Sequence, residues 1–275
     1  MQPRKIMKHI VILGANGMLG HTAALHFQRK GYTVNALDRN DFDAVKNDIT
    51  QLENQIKKTD LVINCIGVIK QIIDNYTPYE TVQINGIFPR NLAKLCKSMG
   101  VKMIHVTTDC VYSGSKGNYN ENDYIDAKDL YGVSKAAGET TDCMTLRTSI
   151  IGTEKNSARS LLGWVFSQKG KTVNGYTNHL WNGVTTLQLA NIIEQILNKG
   201  LYQTGLFHIH SPQSVSKCEL VKMISDVFSL NVTVVPAENE EFCDRTLGST
   251  YPLNGKVSAA VIEDQLMELK AFFKL

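Results

Sequence analysis

The sequence predicts an α/β fold: a doubly wound parallel sheet followed by a smaller α/β lobe. Three observations carry this expectation. Short apolar runs rich in β-branched residues alternate with helical patterns as far as Gly152. A glycine-rich turn, "GANGMLG", joins the first such run to the first helical pattern. Beyond Gly152 the alternation loosens into mixed helices and strands. Strands that alternate with helices pair in parallel through right-handed crossovers, which buries the sheet on both faces.

The elements follow in order. "HIVILGA" is a continuous apolar strand, and "GMLGHTAALHFQRKG" is a helix closed by Gly31. "YTVNALD" is the second strand. "TQLENQIKK" carries Thr50 and Glu53 at capping-box spacing. "DLVINCIGVI" is the third strand. "ETVQINGIFPRNLAKLCKSMG" is helical, with Pro89 predicting a kink or a late start. "VKMIHVTTD" is a strand, "YGVSKAAGET" a helix and "MTLRTSIIG" a strand. In the second part "SLLGWVFSQKG" and "TTLQLANIIEQILNKG" are amphipathic helices. "GLFHIHS" is a strand, and Ser216 with Glu219 caps the helix over "LVKMISDVF". "NVTVVPA" is a strand, and "VIEDQLMELKAFF" is a closing helix.

Composition narrows the function. The chain has 275 residues, 43% hydrophobic and 20% charged, which is ordinary for a globular protein. A net charge of +3 without a basic run gives nucleic acid no footprint. No apolar run reaches the roughly 18 residues of a membrane span. The start, "MQPRKIMKHIVILGANG", is basic and then apolar, but it enters a glycine turn rather than a cleavage site, so it reads as the first strand. Six cysteines, Cys65, Cys96, Cys110, Cys143, Cys218 and Cys243, lie scattered without CxxC pairs. That usage points to free thiols in a reducing compartment, no metal site and a cytoplasmic protein.

The glycine turn has a mechanism. Gly14, Gly17 and Gly20 follow a strand and open a helix. Such a turn lets backbone N–H groups approach a pyrophosphate seated on the positive end of the helix. Asn16, Met18 and Leu19 lie within it. Asp38 ends the second strand, 18 residues past Gly20, where an acidic group bonds an adenosine ribose hydroxyl. Asp38 suits the free 2′-hydroxyl of NAD(H), whereas Arg39 suits the 2′-phosphate of NADP(H). NADP(H) is favoured and NAD(H) stays open. Asp48 and Ile49 are candidates for the adenine, an acceptor beside an apolar face.

A tyrosine four residues before a lysine occurs three times: Tyr112/Lys116, Tyr124/Lys128 and Tyr131/Lys135. Tyr112 sits among turn residues and Tyr124 among acidic ones. Only Tyr131 opens a run of helix formers, where i and i+4 share a face. A phenol with pKa near 10 becomes useful at neutral pH when a nearby ammonium favours its ionised form. Small neighbours (Gly132, Ser134, Ala136, Ala137) let a ligand or another element come close. Thr108 is a hydroxyl at a strand end that can hold a substrate carbonyl.

These residues carry a resemblance. "GANGMLG", Asp38, "NCIG" at 64–67, Asn85, "TTDCVYSG" and "YGVSK" stand in the order and spacing of the extended short-chain dehydrogenase/reductases. "TTDCVYSGSKGNYNENDYIDAKDLYGVSKAAGE", "LRTSIIG" and "NHLWNGVTTLQLA" resemble the dTDP-4-dehydrorhamnose reductase branch, which reduces 4-keto-6-deoxy nucleotide sugars. The resemblance implies a Rossmann-type cofactor domain over 1–152 with 184–204, and a substrate lobe over 153–183 and 205–275. It implies that Thr108 and Tyr131 bond the 4-keto oxygen, that Tyr131 supplies the proton, and that Lys135 holds the nicotinamide ribose and keeps the Tyr131 pKa low. Cys65 and Gly67 would line the cofactor, and Asn85 would support the active-site backbone, through a water if not directly. Val68, Asp109, Cys110, Trp181 and Asn182 are candidates for substrate contact, although Trp181 fits equally as a core aromatic. The partners implied are a nucleotide sugar and, optionally, a second copy of the chain.

Cys110 separates reaction types. In sugar-nucleotide 4,6-dehydratases of the superfamily a glutamate follows the Thr-Asp pair; here a cysteine does, which argues against dehydration. In GDP-fucose synthase a cysteine at the corresponding position moves a proton next to the ketone. Cys110 is therefore either a C3 epimerisation base, with His179 as its partner acid, or a small apolar filler. The closer resemblance is to reductases of UDP-linked 2-acetamido-2,6-dideoxy sugars; dTDP- or UDP-4-keto-rhamnose is the alternative substrate. An NADP-binding regulatory subunit without turnover is the alternative of another class.

Overall fold

The computed structural model describes residues 9–155, 159–257 and 259–275. The lead-in to the first strand over 1–8, and residues 156–158 and 258 of the expected second lobe, lie outside the described residues. Six strands form the central sheet: β1 (His9–Leu13), β2 (Thr33–Leu37), β3 (Leu61–Asn64), β4 (Lys102–Thr108), β5 (Met144–Thr148) and β6 (Gly205–His208). Their order is β2-β1-β3-β4-β5-β6, and every pairing is parallel. This is the predicted doubly wound, Rossmann-type sheet.

Successive strand residues point to opposite faces, so a sheet covered twice needs continuous apolar strands. Ile10, Ile12, Ile104 and Leu146 pack with Ala23 and Phe27 of α1 (Met18–Arg29). Val11, Val62 and Met103 face the other way, onto Leu92 and Cys96 of α2 (Phe88–Ser98). The next helices are α3 (Leu130–Gly138), α4 (Leu161–Ser167) and α5 (Thr186–Asn198). Helix α5 returns to cover the β1 side beside α1, with Ile192 and Ile196 in the same core. Helices α6 (Lys217–Val227) and α7 (Ile262–Phe273) belong to the second core with α4, through Leu162, Val165, Leu220, Ile224 and Leu266.

Several expectations shift. The division at residue 205 cuts the sheet: Gly205–His208 pairs with Met144–Arg147 as the sixth strand, and Leu253 and Val257 also join the main core. The third strand stops at Asn64 rather than running to residue 69, because side chains take the backbone N–H groups beyond it: Ile66 N–H bonds Asn64 Oδ1 at 3.1 Å and Val68 N–H bonds Asn85 Oδ1 at 2.8 Å. Thr50 and Glu53 form no capping box. Asp48 caps instead, accepting from the Thr50 N–H and hydroxyl at 2.9 and 2.6 Å. As expected, Pro89 marks a late start: the regular α-helix begins at Phe88, with the proline in its first turn. Proline lacks the N–H that would reach back to residue 85. Gln83–Ile87 widens into a π turn between Pro78–Val82 and α2, and the Phe88 N–H bonds the Gln83 carbonyl. The Ser216/Glu219 capping box forms as expected.

A buried ion pair joins β5 to the residue that follows α3. Arg147 of β5, 2% exposed, donates from Nε to Glu139 Oε1 at 2.9 Å and from Nη2 to Oε2. Its Nη1 donates to the Tyr112 hydroxyl and, at 3.0 Å, to His208 Nε2. A ring nitrogen that accepts from a guanidinium must be unprotonated. Burial and then the Arg147 charge accordingly pull the His208 pKa down to about 4. Its Nδ1–H donates to the Gly248 carbonyl at 2.8 Å, which holds the chain after residue 244 against β6. Among the described residues no helix is long and apolar enough to cross a membrane.

Removing one partner of a buried ion pair leaves the other desolvated and unpaired. Glu139→Ala should therefore lower unfolding free energy by about 3–5 kcal/mol, read as a shift of the urea midpoint. An unchanged midpoint would mean that Arg147 finds water instead.

Candidate active site

Parallel strands deliver their C-terminal ends to one crevice, located where the strand order reverses between β1 and β3. Leu13 pairs with both Leu37 and Asn64, so the chain leaves β1, β2 and β3 at one level. At the end of β1 the N–H groups of Gly14 and Ala15 both donate to the Leu37 carbonyl at 3.0 Å. Gly14 has φ +79°, a left-handed conformation that favours glycine, and a Cβ there would press on the Cys65 backbone at 3.0 Å. A Cβ at Gly20 would collide with the Gly14 carbonyl. The turn is thus packed to the limit on its inner side, while Asn16 and Gly17 stay exposed. This cradle fits a dinucleotide's pyrophosphate.

Around the turn, Asn16 Nδ2 donates to Asp38 Oδ2 at 2.7 Å, and the Asn40 N–H holds the other carboxylate oxygen at 2.7 Å. Asp38 is fixed at the end of β2 as a ribose acceptor. Arg39 is 61% exposed but engaged: Nε donates to Asp43 at 2.9 Å and Nη1 to the Tyr76 hydroxyl at 2.8 Å. Its remaining donors can still meet a 2′-phosphate. Met18 opens α1, and the Leu19 side chain is core, so only its backbone can serve a cofactor. Asp48 is spent as a cap, and Ile49 packs partly against the second-face core. A residue the sequence did not suggest also reaches this turn: Lys155 Nζ donates to Asn16 Oδ1 at 3.1 Å.

The chemical end is built by α3 lying on the end of β4. A Cβ at Gly132 would strike the Cys110 carbonyl, and one at Gly138 would strike the Asn85 carbonyl. The small residues thus admit backbone rather than ligand. The π turn aims Asn85 inward: Nδ2 donates to the Val68 carbonyl at 3.0 Å and to Ser134 Oγ at 3.1 Å, and Oδ1 accepts the Val68 N–H at 2.8 Å. The expected backbone support is direct. Lys135 is buried, with Nζ on the Val106 carbonyl at 3.2 Å. Gly67 leaves its ammonium open, since a Cβ there would sit 3.5 Å from Nζ.

Strand β4 ends in a short turn, Asp109–Val111, capped by Thr108, whose Oγ1 accepts the Cys110 N–H at 3.1 Å. The same hydroxyl donates to Asp109 Oδ1 at 3.1 Å. Burial raises the Tyr131 pKa, the Cys110 and Asp109 charges add to the rise, and hydrogen bonding with Thr108 opposes it. Burial also lowers Lys135 to about 8. The expectation that Lys135 keeps the phenol's pKa low is not met: desolvation leads, and the ammonium is turned to Val106. Cys110 is likewise pushed up to about 12, by burial and then Asp109. Cys65 rises to about 12 by burial.

The rejected pairs are structural. Tyr112 is fully buried and donates to the Asn120 carbonyl at 2.8 Å; Lys116 pairs with Asp123; Tyr124 is exposed. Two substrate candidates are also structural. Trp181 is core, and its Nε1 donates to Ser149 Oγ at 2.9 Å. Asn182 clamps the Leu247 backbone on both sides, at 2.7 and 2.9 Å. The His179 ring is spent on the Glu241 carbonyl at 2.9 Å. Two cations the sequence did not single out, Lys217 and Arg245, lie near enough to Asp109 to act on its charge.

A family model described as the RmlD substrate binding domain matches residues 7–265. The chain belongs to this RmlD family. The expected branch of the extended short-chain dehydrogenase/reductases is therefore the right one. The chain is similar to a probable low-salt glycan biosynthesis reductase, Agl14, of Haloferax volcanii, 26% identical over 277 residues, covering 93% of this chain and 91% of that protein. The fold is shared with a dTDP-4-dehydrorhamnose reductase of Bacillus anthracis solved with NADP: TM-score 0.81, 22% identity, 98% of this chain and 100% of that one. It is shared too with the enzyme WbmG of Bordetella bronchiseptica solved with NAD and UDP: TM-score 0.76, 18% identity, 100% of this chain and 96% of that one.

In this RmlD-family chain, Gly20→Ala should weaken NADPH binding at least about tenfold, equivalent to 1.4 kcal/mol, because the turn must open to admit the methyl group. Cofactor fluorescence titration reads the affinity. Binding at wild-type strength would mean that the turn does not seat the pyrophosphate.

Proposed function

We propose that the protein is an NAD(P)H-dependent reductase of the C4 ketone of a 4-keto-6-deoxy nucleotide sugar, acting in deoxysugar biosynthesis for surface glycans. The observation that carries the reading is one meeting of residues. The Tyr131 phenol lies by the Thr108 hydroxyl at the end of β4, and Lys135, one helical turn further along α3, bonds the Val106 carbonyl of the same strand, beside a turn shaped for a dinucleotide. The glycan reductase Agl14 and the solved dehydrorhamnose reductase support the same chemistry. The finer substrate we propose is a UDP-linked 2-acetamido-2,6-dideoxy-hexos-4-ulose; the neighbour that holds UDP supports the base. NADP(H) and NAD(H) both fit the pair Asp38 and Arg39, and neighbours hold each of them.

A bound reduced nicotinamide supplies hydride to C4. The protein's own residues do the rest. Thr108 turns its hydroxyl from Asp109 to the carbonyl oxygen and fixes the ketone. Burial keeps the Tyr131 phenol protonated at neutral pH, so it is a proton donor, and it delivers its proton as charge builds on that oxygen. Lys135 keeps its bond to the Val106 carbonyl, and its charge stabilises the phenolate formed one helical turn away as long as it is itself protonated. Asn85 holds the Val68 segment and Ser134 of α3 in one piece, which keeps substrate and phenol in register.

Incubation with a panel of freshly made UDP- and dTDP-linked 4-keto sugars and NADPH tests the reading; NADPH consumption with an alcohol product by NMR is expected. Tyr131→Phe should cut kcat by about 10²–10⁴-fold with the cofactor still bound. The activity depends on a cationic Lys135, so kcat/KM should fall as pH rises through about 8, where that ammonium loses its proton. A rate that stays flat from neutral pH to well above that value would assign Lys135 another role.

The environment of Cys110 weighs against added C3 epimerisation, since a thiol pushed up to about 12 is not a base at neutral pH. Turnover in heavy water should leave C3 free of solvent deuterium. Deuterium there, lost in Cys110→Ser, would restore the epimerase.

A further inference from the structure

The chain after Ile151 lies along the first turns of α1. Gly152 packs on Thr186, where a Cβ would collide with the Thr186 hydroxyl, and that hydroxyl shares a hydrogen bond with Thr22 Oγ1 of α1 at 3.1 Å. Thr153 Oγ1 lies 3.3 Å from His21 Nε2. The other ring nitrogen, Nδ1, faces the Gly17 carbonyl at 2.9 Å and must donate to it, so in the neutral ring Nε2 accepts from the Thr153 hydroxyl. Lys155 Nζ donates to Asn16 Oδ1 at 3.1 Å. As the chain runs from 152 to 155 it therefore follows α1 down from Thr22 to the glycine turn. The segment is also tied to the second lobe. Glu154 Oε2 accepts the Ser160 N–H at 2.6 Å, and Ser160 Oγ caps α4 by accepting the Gly163 N–H at 3.2 Å.

The cradle is short of positive charge. A dinucleotide brings a doubly charged pyrophosphate and, in NADPH, a 2′-phosphate as well. The turn over Gly14–Gly20 has no cationic side chain, and Asp38 beside it is an acid. Its N–H groups and the helix end offer only partial charges. Lys155 is exposed, and the partner it holds is a neutral amide oxygen. A phosphate oxygen is charged and makes the stronger bond with an ammonium. Asn16 stands between the two places where such an oxygen arrives. Its Nδ2 holds Asp38, the ribose acceptor, and the next residue, Gly17, precedes the helix end that faces the pyrophosphate.

We infer that Lys155 is a cofactor-binding residue: its ammonium exchanges the Asn16 amide for a phosphate oxygen of the bound dinucleotide, on the pyrophosphate or on the 2′-position of the ribose. This rests on the reading of the glycine turn as a dinucleotide cradle. It assigns the cation that the turn lacks, and that cation comes from the segment leading into the substrate lobe. Through Glu154 and Ser160 the same segment reaches α4, so a bound cofactor fastens the start of that lobe to α1.

Fluorescence titration of the full chain with NADPH and with NADH tests it, in dilute and in concentrated salt. The variants are Lys155→Met, Lys155→Gln and Lys155→Arg. With the pyrophosphate as partner, Lys155→Met weakens both cofactors by about 10-fold in dilute salt, the lower end for a charge-assisted contact. With the 2′-phosphate as partner, NADPH weakens by that factor and NADH is unchanged. In either case Lys155→Arg keeps most of the affinity, and the loss in Lys155→Met shrinks in concentrated salt, where an exposed charge is screened. Lys155→Gln keeps a donor for Asn16 without the charge, and it should lose affinity as Lys155→Met does. Wild-type affinity in Lys155→Gln would mean that Lys155 only braces Asn16, and wild-type affinity for both cofactors in Lys155→Met would likewise overturn the inference. If the wild type itself binds neither cofactor, the cradle reading falls and the inference with it.

Discussion

Helix α3 lies on the end of β4 with no room for a methyl group at Gly132 or Gly138, and the site depends on that contact. The first glycine accepts the Cys110 carbonyl and the second the Asn85 carbonyl. Once the helix is that close, Tyr131 stands by Thr108 and Lys135 reaches the Val106 carbonyl inside the sheet. The π turn answers the same constraint from the other side. It brings Asn85 inward, where its amide closes on Val68 and Ser134 together. Backbone approach of this kind costs nothing in side-chain entropy and leaves little freedom to misplace a reacting atom.

Burial then sets the protonation states. It raises the Tyr131 phenol and the Cys110 thiol and lowers the Lys135 ammonium, because each charged form loses its water. The result is a site of neutral donors with one titratable cation near neutrality. Such protonated groups can still give a proton to a developing alkoxide, a far stronger base, but they take one from carbon poorly. Behind it, the Arg147–Glu139 pair and the neutral His208 hold the loop after Cys110 and the chain after residue 244 to β5 and β6. The ends of that scaffold carry Thr108 and Arg245.

Much of this was legible beforehand, for local reasons. The glycine turn is a local structure, and its spacing states its geometry. Tyr131 could be chosen over Tyr112 and Tyr124 because only its surroundings favour a helix. Residues whose use is set by distant contacts were not legible. Trp181 stood open between substrate contact and core and Asn182 stood as a substrate candidate, and only the fold shows their polar atoms taken by Ser149 and Leu247. Lys217 was hidden just inside a capping box that reads only as a helix start. Arg245 lies in an irregular stretch without periodicity. The sixth strand was misplaced because "GLFHIHS" is as good an edge for one sheet as for another.

From sequence alone came the alternation of strands and helices, the cofactor turn, the Tyr131–Lys135 pair and the hydroxyl at the end of β4. Each is set by neighbours within a few residues, where φ/ψ preference and periodicity act. Tertiary structure alone decided which sheet receives Gly205–His208, what Asn85 holds, how burial sets the ionisation of Cys110 and Tyr131, and that two cations from the second lobe face Asp109. Those outcomes depend on desolvation and on contacts between residues far apart in the chain. Neither is written in local pattern.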